Sequence, residues 1–148
     1  ECSLDSIIRQ AVKKYASQFI RKKIRLEYEP MQYTVLTDEK WLMFVIEQII
    51  SNSLKYTRQG FIAITFEKEG VLCIRDSGIG IDAADIPRVF DKGFTGLNGR
   101  TDKKATGIGL YLCRRILTAL GHDIQISSSE GKGTEVRIDL SRSDVNVE

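Results

Sequence analysis

The chain has 148 residues, 42% hydrophobic and 28% charged, which is the size and composition of one ordinary globular domain with a core of its own. A formal net charge of +2 with no basic stripe interleaved with aromatics gives no footprint for nucleic acid, so any bound anion must be held by a local site. Its three cysteines (Cys2, Cys73 and Cys113) are odd in number, widely spaced and lack a C-x-x-C pair, which reads as reduced thiols. No apolar run approaches the ~20 residues of a membrane span, and no signal peptide is visible. The chain opens at Glu1 without Met, which marks it as a piece of something longer.

In chain order, residues 4–22 place Ile7, Ile8, Ala11, Val12, Tyr15, Phe19 and Ile20 at helical spacing, with Ser3 or Asp5 to cap the start. Residues 24–29 alternate apolar and charged, the mark of a half-buried strand ended by Pro30, and residues 33–36 read as a second short strand. Asp38 is the expected N-cap of a long helix to about Tyr56, with Trp41, Leu42, Val45, Ile46, Ile49 and Ile50 facing inward. Gly60 breaks that pattern. Strands follow over 61–66 and 71–74, then a glycine turn over 76–80 and one helical turn over 85–90. Residues 92–106 carry glycines and charges without periodicity, a length of loop that in a compact domain marks a lid or a disordered segment. A helix over 108–120 is closed by Gly121, a hairpin joins strands 123–128 and 134–140, and residues 141–148 form a polar tail. The order predicts an α+β chain: a two-layer α/β sandwich with a mixed, mostly antiparallel sheet and helices on one face.

Four segments carry candidate chemistry. Asn52 and Lys55 lie three apart near the end of the long helix, where an amide oxygen can ligate Mg²⁺ and an ammonium can meet phosphate. Asp76-Ser77-Gly78-Ile79-Gly80 follows a strand, so Asp76 can accept from an amine while the glycines permit close approach. Thr106-Gly107-Ile108-Gly109-Leu110 opens a helix with bare N–H groups, an arrangement suited to an anion. Val89-Phe90-Asp91-Lys92-Gly93-Phe94 puts Lys92 at the mouth of the long loop. Each segment alone reads more readily as a solvated helix end, a turn, a glycine-rich helix entry or a solvated lysine.

Taken together with Gly131-Lys132-Gly133-Thr134, and in this order, they resemble the N, G1, F, G2 and G3 boxes of the GHKL (Bergerat) ATPase and kinase superfamily, specifically the catalytic and ATP-binding domain of sensor histidine kinases. The pairing of Asn-Ser-Leu-Lys-Tyr-Thr with Val-Phe-Asp-Lys-Gly-Phe-Thr-Gly is similar to the subgroup that senses antimicrobial peptides. The resemblance spans nearly the whole chain as one domain. It implies that Asn52 and, weakly, Gln48 ligate Mg²⁺ on the phosphates of ATP. It also implies that Lys55 and Lys92 meet phosphate, Tyr56 packs near the nucleotide, and Asp76 takes the adenine amine. Gly78, Gly80, Ile81 and Thr134 would form the base pocket. Thr106, Gly107, Gly109 and Leu110 would cradle phosphate, and residues 93–106 would be the ATP lid.

The family's ATP-hydrolysing branches carry a water-activating Glu four residues before the Asn box, whereas its kinases often carry Asn. Here the residue is Gln48, which cannot take a proton, and Glu47 points about 100° away around the helix. That departure favours phosphoryl transfer over a GHKL-type ATPase module; a non-catalytic nucleotide-binding domain stays open as the other alternative. The only histidine, His122, follows Gly121 at a helix end, the wrong context for a phosphoacceptor, and reads as structural. The resemblance therefore implies a histidine-bearing dimerisation domain elsewhere in the parent protein and a response regulator as partners, with no nucleic acid. It implies a homodimeric parent anchored in the bacterial membrane, with this segment cytoplasmic and monomeric on its own.

Overall fold

A computed structural model describes residues 1–67, 70–91 and 109–141. In chain order the elements are β1 (Cys2–Ser3), α1 (Leu4–Lys14), α2 (Ala16–Lys22), β2 (Ile24–Tyr28), β3 (Thr34–Val35) and α3 (Glu39–Tyr56). They continue with β4 (Gly60–Glu67), β5 (Val71–Asp76), a 3₁₀ turn (Ile86–Arg88), α4 (Gly109–Ala119), β6 (Asp123–Ser129) and β7 (Gly133–Asp139). Five strands form one sheet in the order β2-β4-β5-β7-β6, and β1 pairs with β3 in a separate two-stranded ribbon. β2 and β4 run parallel, joined across α3, whereas the other three pairings are antiparallel. The expected mixed sheet is present.

Strand register explains the layering. Across the sheet Leu26, Ile62, Asp76, Thr134 and Ser128 occupy one row of a single face, and Tyr28, Ile64, Ile74, Val136 and Ile126 form the next row. The helices pack on this face, and its core is completed by Leu42, Val45, Ile46, Ile49, Ile50 and Leu54 of α3 with Cys113 and Leu117 of α4. The opposite face alternates to Phe61, Arg75, Glu135 and Ser127. There Arg137 binds Glu67 through two guanidinium nitrogens and also touches Cys73 Sγ at 3.3 Å. All three cysteines are free, and burial pushes the Cys73 and Cys113 thiols up to about 11 and about 12.

Several sequence expectations need correction. The helix predicted over 4–22 is two helices. Tyr15 leaves helical geometry at φ −106° and ψ 13°, its N–H closes a tight turn onto Val12, and α2 swings onto β2. Ile20, expected inside, is 77% exposed because the break rotates its face outward. Trp41 is also 51% exposed, set edge-on to Phe44 rather than inside the α3 stripe. α3 ends at Tyr56 as expected, whereas Gly60, expected as the breaker of that helix, opens β4 at φ +117°. The caps are Ser3 on α1 and Asp38 on α3, each accepting the N–H three residues on.

Candidate nucleotide site

The site begins with the apolar stripe of α3. Leu42, Val45, Ile46, Ile49 and Ile50 repeat at three and four residues and bury against sheet and helices. The same periodicity carries on to Ser53 and Thr57, which are polar yet only 4% and 0% exposed. One face away, Gln48 and Asn52 stand a single turn apart and half-buried. α4 starts directly opposite them. A methyl group on Gly109 would lie 3.6 Å from Gln48 Oε1 and 3.9 Å from Asn52 Nδ2. Helix α3 thus presents two amides to the first residue of α4, where the N-terminal N–H groups and the macrodipole favour an anion. Leu110 follows, half-buried. The Lys55 ammonium lies over the Tyr56 ring, 5.7 Å from its centroid.

Asp76 closes the other end. It is the last residue of β5, on the face covered by helices, and is 6% exposed. Its Oδ1 accepts from the Gly78 N–H at 2.9 Å and the Thr134 N–H at 3.3 Å, and the Ser53 hydroxyl beside it favours the charged carboxylate. Burial dominates these donors and raises its pKa above the usual carboxylate range. Thr57 sits beside it with a weaker polarising contact, and its buried Oγ1 has no well-formed hydrogen bond among the described residues. A buried hydroxyl next to an acceptor-rich carboxylate fits a ligand edge, or a water, that offers donors and acceptors together.

The turns that frame Asp76 are held by close backbone approaches. A side chain on Gly78 would strike the Tyr56 carbonyl and come within 2.8 Å of Thr57 Oγ1. Gly133, at φ +111°, leaves room for the Asp76 carbonyl, where any Cβ would collide. Gly80, at φ +78°, passes against the backbone of Ser129. The Ile79 N–H donates to the Tyr56 carbonyl at 3.0 Å, tying the turn to the end of α3. Ile81 donates to Ser128 Oγ at 2.8 Å, and Thr134 Oγ1 lies 2.8 Å from the same hydroxyl.

The structure therefore gathers Gln48, Asn52, Lys55, Tyr56, Asp76, Gly78, Gly80, Ile81, Gly109, Leu110 and Thr134 around the junction of α3, α4 and the ends of β5 and β7. Lys92, Thr106, Gly107 and the lid expected over 93–106 lie outside the described residues. Just before them, Val89 is buried and Arg114 of α4 stacks over Phe90 at 4.7 Å. Sequence reasoning missed Ser53, Thr57 and Ser128; for the first two, a hydroxyl in an otherwise apolar helical stripe was the available signal. His122 is 5% exposed with Nε2 3.0 Å from Thr37 Oγ1, so it is an interior residue. An open depression of about 270 Å³ reaches this junction: Asp76, Ser128, Gly133 and Thr134 line it together with Phe61, Arg75, Ser127 and Glu135 of the sheet's far face.

Residues 37–144 match the model of the histidine kinase-, DNA gyrase B- and HSP90-like ATPases. The chain is 38% identical over 144 residues to the sensor histidine kinase YxdK of Bacillus subtilis (strain 168), an alignment covering 91% of this chain and 43% of that protein. It is 44% identical over 103 residues to the sensor histidine kinase GraS of Staphylococcus epidermidis (strain ATCC 35984), covering 68% of this chain and 30% of GraS. The chain thus spans less than half the length of these relatives. Among solved structures, the nucleotide-free catalytic domain of the histidine kinase ThkA superposes with a TM-score of 0.77 at 23% identity over 91% of each chain. Full-length ShkA in complex with AMPPNP gives 0.76 at 20% identity, over 99% of this chain and 31% of ShkA. With that family model matched over most of its length, the chain belongs to the histidine kinase-, DNA gyrase B- and HSP90-like ATPase family.

Proposed function

We propose that this chain is the ATP-binding catalytic portion of a sensor histidine kinase, giving the γ-phosphoryl of ATP to a histidine on a separate dimerisation domain of its parent. The observation that carries the reading is Gly109, at the start of α4, facing Gln48 and Asn52 of α3, with Asp76 buried as an acceptor at the end of β5. Asp76 supplies a buried acceptor for an exocyclic amine. Gln48 and Asn52 offer amide oxygens, the hard but uncharged donors that suit Mg²⁺ when phosphates bring the negative charge. Bound there, the cation would neutralise phosphate charge and orient the reacting group. Lys55 and the α4 N-terminus add positive potential from the protein.

Transfer forms an N–P bond on the acceptor imidazole as the bond from the γ-phosphorus to the bridging oxygen breaks and ADP leaves. Such a reaction asks for positioning and charge stabilisation more than for acid–base chemistry. Gln48 agrees with that need, since an amide cannot deprotonate water. The interior placement of His122 supports an acceptor outside the described residues. The names of the relatives support a parent that senses a stimulus, and we infer a membrane-anchored sensor that passes phosphoryl on to a response regulator. No helix among the described residues is long and apolar enough to cross a membrane.

The direct test is calorimetric titration of the chain with ATP and Mg²⁺, followed by Asp76→Ala and Asn52→Ala. Asp76→Ala should weaken ATP at least about tenfold, since a charged acceptor is lost from a buried pairing. Asn52→Ala should weaken ATP only when Mg²⁺ is present. Equal affinity in wild type and Asp76→Ala would rule out this base site.

A further inference from the structure

Ser128 of β6 lies opposite Thr134 of β7, and three polar groups converge on its hydroxyl. The Ile81 N–H donates to Oγ at 2.8 Å, the Gly133 carbonyl oxygen lies 2.7 Å away, and Thr134 Oγ1 lies 2.8 Å away. A serine hydroxyl has one proton and two lone pairs. The Gly133 carbonyl can only accept, so it takes the Ser128 proton. The Ile81 N–H fills one lone pair. Thr134 must fill the other, and its only hydroxyl proton is thereby committed to Ser128. Its backbone N–H is spent as well, on Asp76 Oδ1 at 3.3 Å. Thr134 and Asp76 are register partners on the same sheet face. The floor at the end of β5 and the start of β7 therefore turns the Asp76 carboxyl group and the Thr134 hydroxyl oxygen toward the helices, and Thr134 holds no side-chain proton to donate elsewhere.

We propose that Ser128 is a positioning and specificity-determining residue: by holding the Thr134 proton it keeps the Thr134 hydroxyl an acceptor, which selects a nucleobase with an exocyclic amine over one with a carbonyl at that place. The proposal rests on the nucleotide reading above. Adenine offers an amine donor to this floor, directly or through water. Hypoxanthine presents a carbonyl oxygen there, which meets lone pairs and stays unpaired in a buried setting. A site that loses its hydrogen bonds to the wrong substrate discriminates steeply. The same hydroxyl anchors Ile81, so it also fixes the turn that follows Gly80.

The test is titration of the chain with ATP and with ITP, in Mg²⁺, for wild type, Ser128→Ala and Ser128→Thr. Wild type should favour ATP. Ser128→Ala releases the Thr134 proton, which can then turn to a carbonyl, and the ATP-to-ITP preference should narrow by about tenfold, the worth of one buried pairing. Ser128→Thr keeps a hydroxyl and should restore the preference. Affinities that fall equally for both nucleotides would reduce Ser128 to a structural residue and overturn the proposal, as would no change at all. If Ser128→Ala does not fold, Thr134→Val removes the acceptor while leaving Ser128 bonded to Ile81 and Gly133. A narrowed preference there supports the proposal and an unchanged one overturns it. Wild type that binds neither nucleotide would instead overturn the nucleotide reading itself.

Discussion

Replacing Gly109 with Ala separates the fold from the phosphate end of the site. The added methyl would lie 3.6 Å from Gln48 Oε1 and 3.9 Å from Asn52 Nδ2, ordinary contact distances that need no rearrangement. Gly109 is the first residue of α4, and alanine there loses less backbone entropy on folding, worth about 0.5–1 kcal/mol in a helix. For a domain of this size that corresponds to a rise in Tm of roughly 1–4 °C. The same methyl, however, occupies the space between the α4 N-terminus and the two amides, where phosphate and cation belong. Affinity for ATP with Mg²⁺ should fall at least about tenfold, or 1.4 kcal/mol. Gly133→Ala is the contrasting control. Its Cβ would collide with the Asp76 carbonyl at φ +111°, so it should lose both binding and more than about 2 kcal/mol of stability. Thermal unfolding and calorimetric titration read both quantities. Gly109→Ala that binds nucleotide as tightly as wild type would refute a phosphate site at this helix start.

Two further outcomes follow from the site. Burial raises the Asp76 pKa, so the fold is favoured by the protonated carboxyl and loses that contribution as pH rises from 3.8 through the raised value. Asn does not titrate, and the stability of Asp76→Asn relative to wild type should therefore increase with pH across that window, while ATP affinity falls; a pH-independent difference in denaturant titrations would contradict the burial argument. Gln48→Glu would place a carboxylate one turn before Asn52, and phosphate release from ATP should rise above the wild-type level. Identical release would show that the amide is not what withholds hydrolysis.

Much of this arrangement was legible in the residues. The α3 stripe, the Asp38 cap, the strand alternation and the glycine turn around Asp76 all follow from local pattern. The parallel pairing of β2 with β4 was not, because register between distant strands has no local signature. Nor was β1, two residues long and too short for periodicity, although its partner β3 was expected within residues 33–36. Ile20 and Trp41 fit a helical stripe as apolar residues but face outward, since a break at Tyr15 and the packing of α3 decide which side is covered. Ser53 and Thr57 interrupt an apolar stripe at the point where Asp76 arrives from another element. Ser128 sits in a run of three serines, and only the β6–β7 register shows which of them meets Thr134.

The central claim is that the ends of α3, β5 and β7 and the start of α4 form one nucleotide cleft. Backbone amide NMR during titration of the chain with Mg²⁺ and a non-hydrolysable ATP analogue tests it most directly. Saturable shifts should gather at Asn52, Asp76, Gly78, Gly109 and Thr134. Absence of saturation, or shifts confined to Phe61, Arg75 and Glu135 on the far face of the sheet, would contradict it.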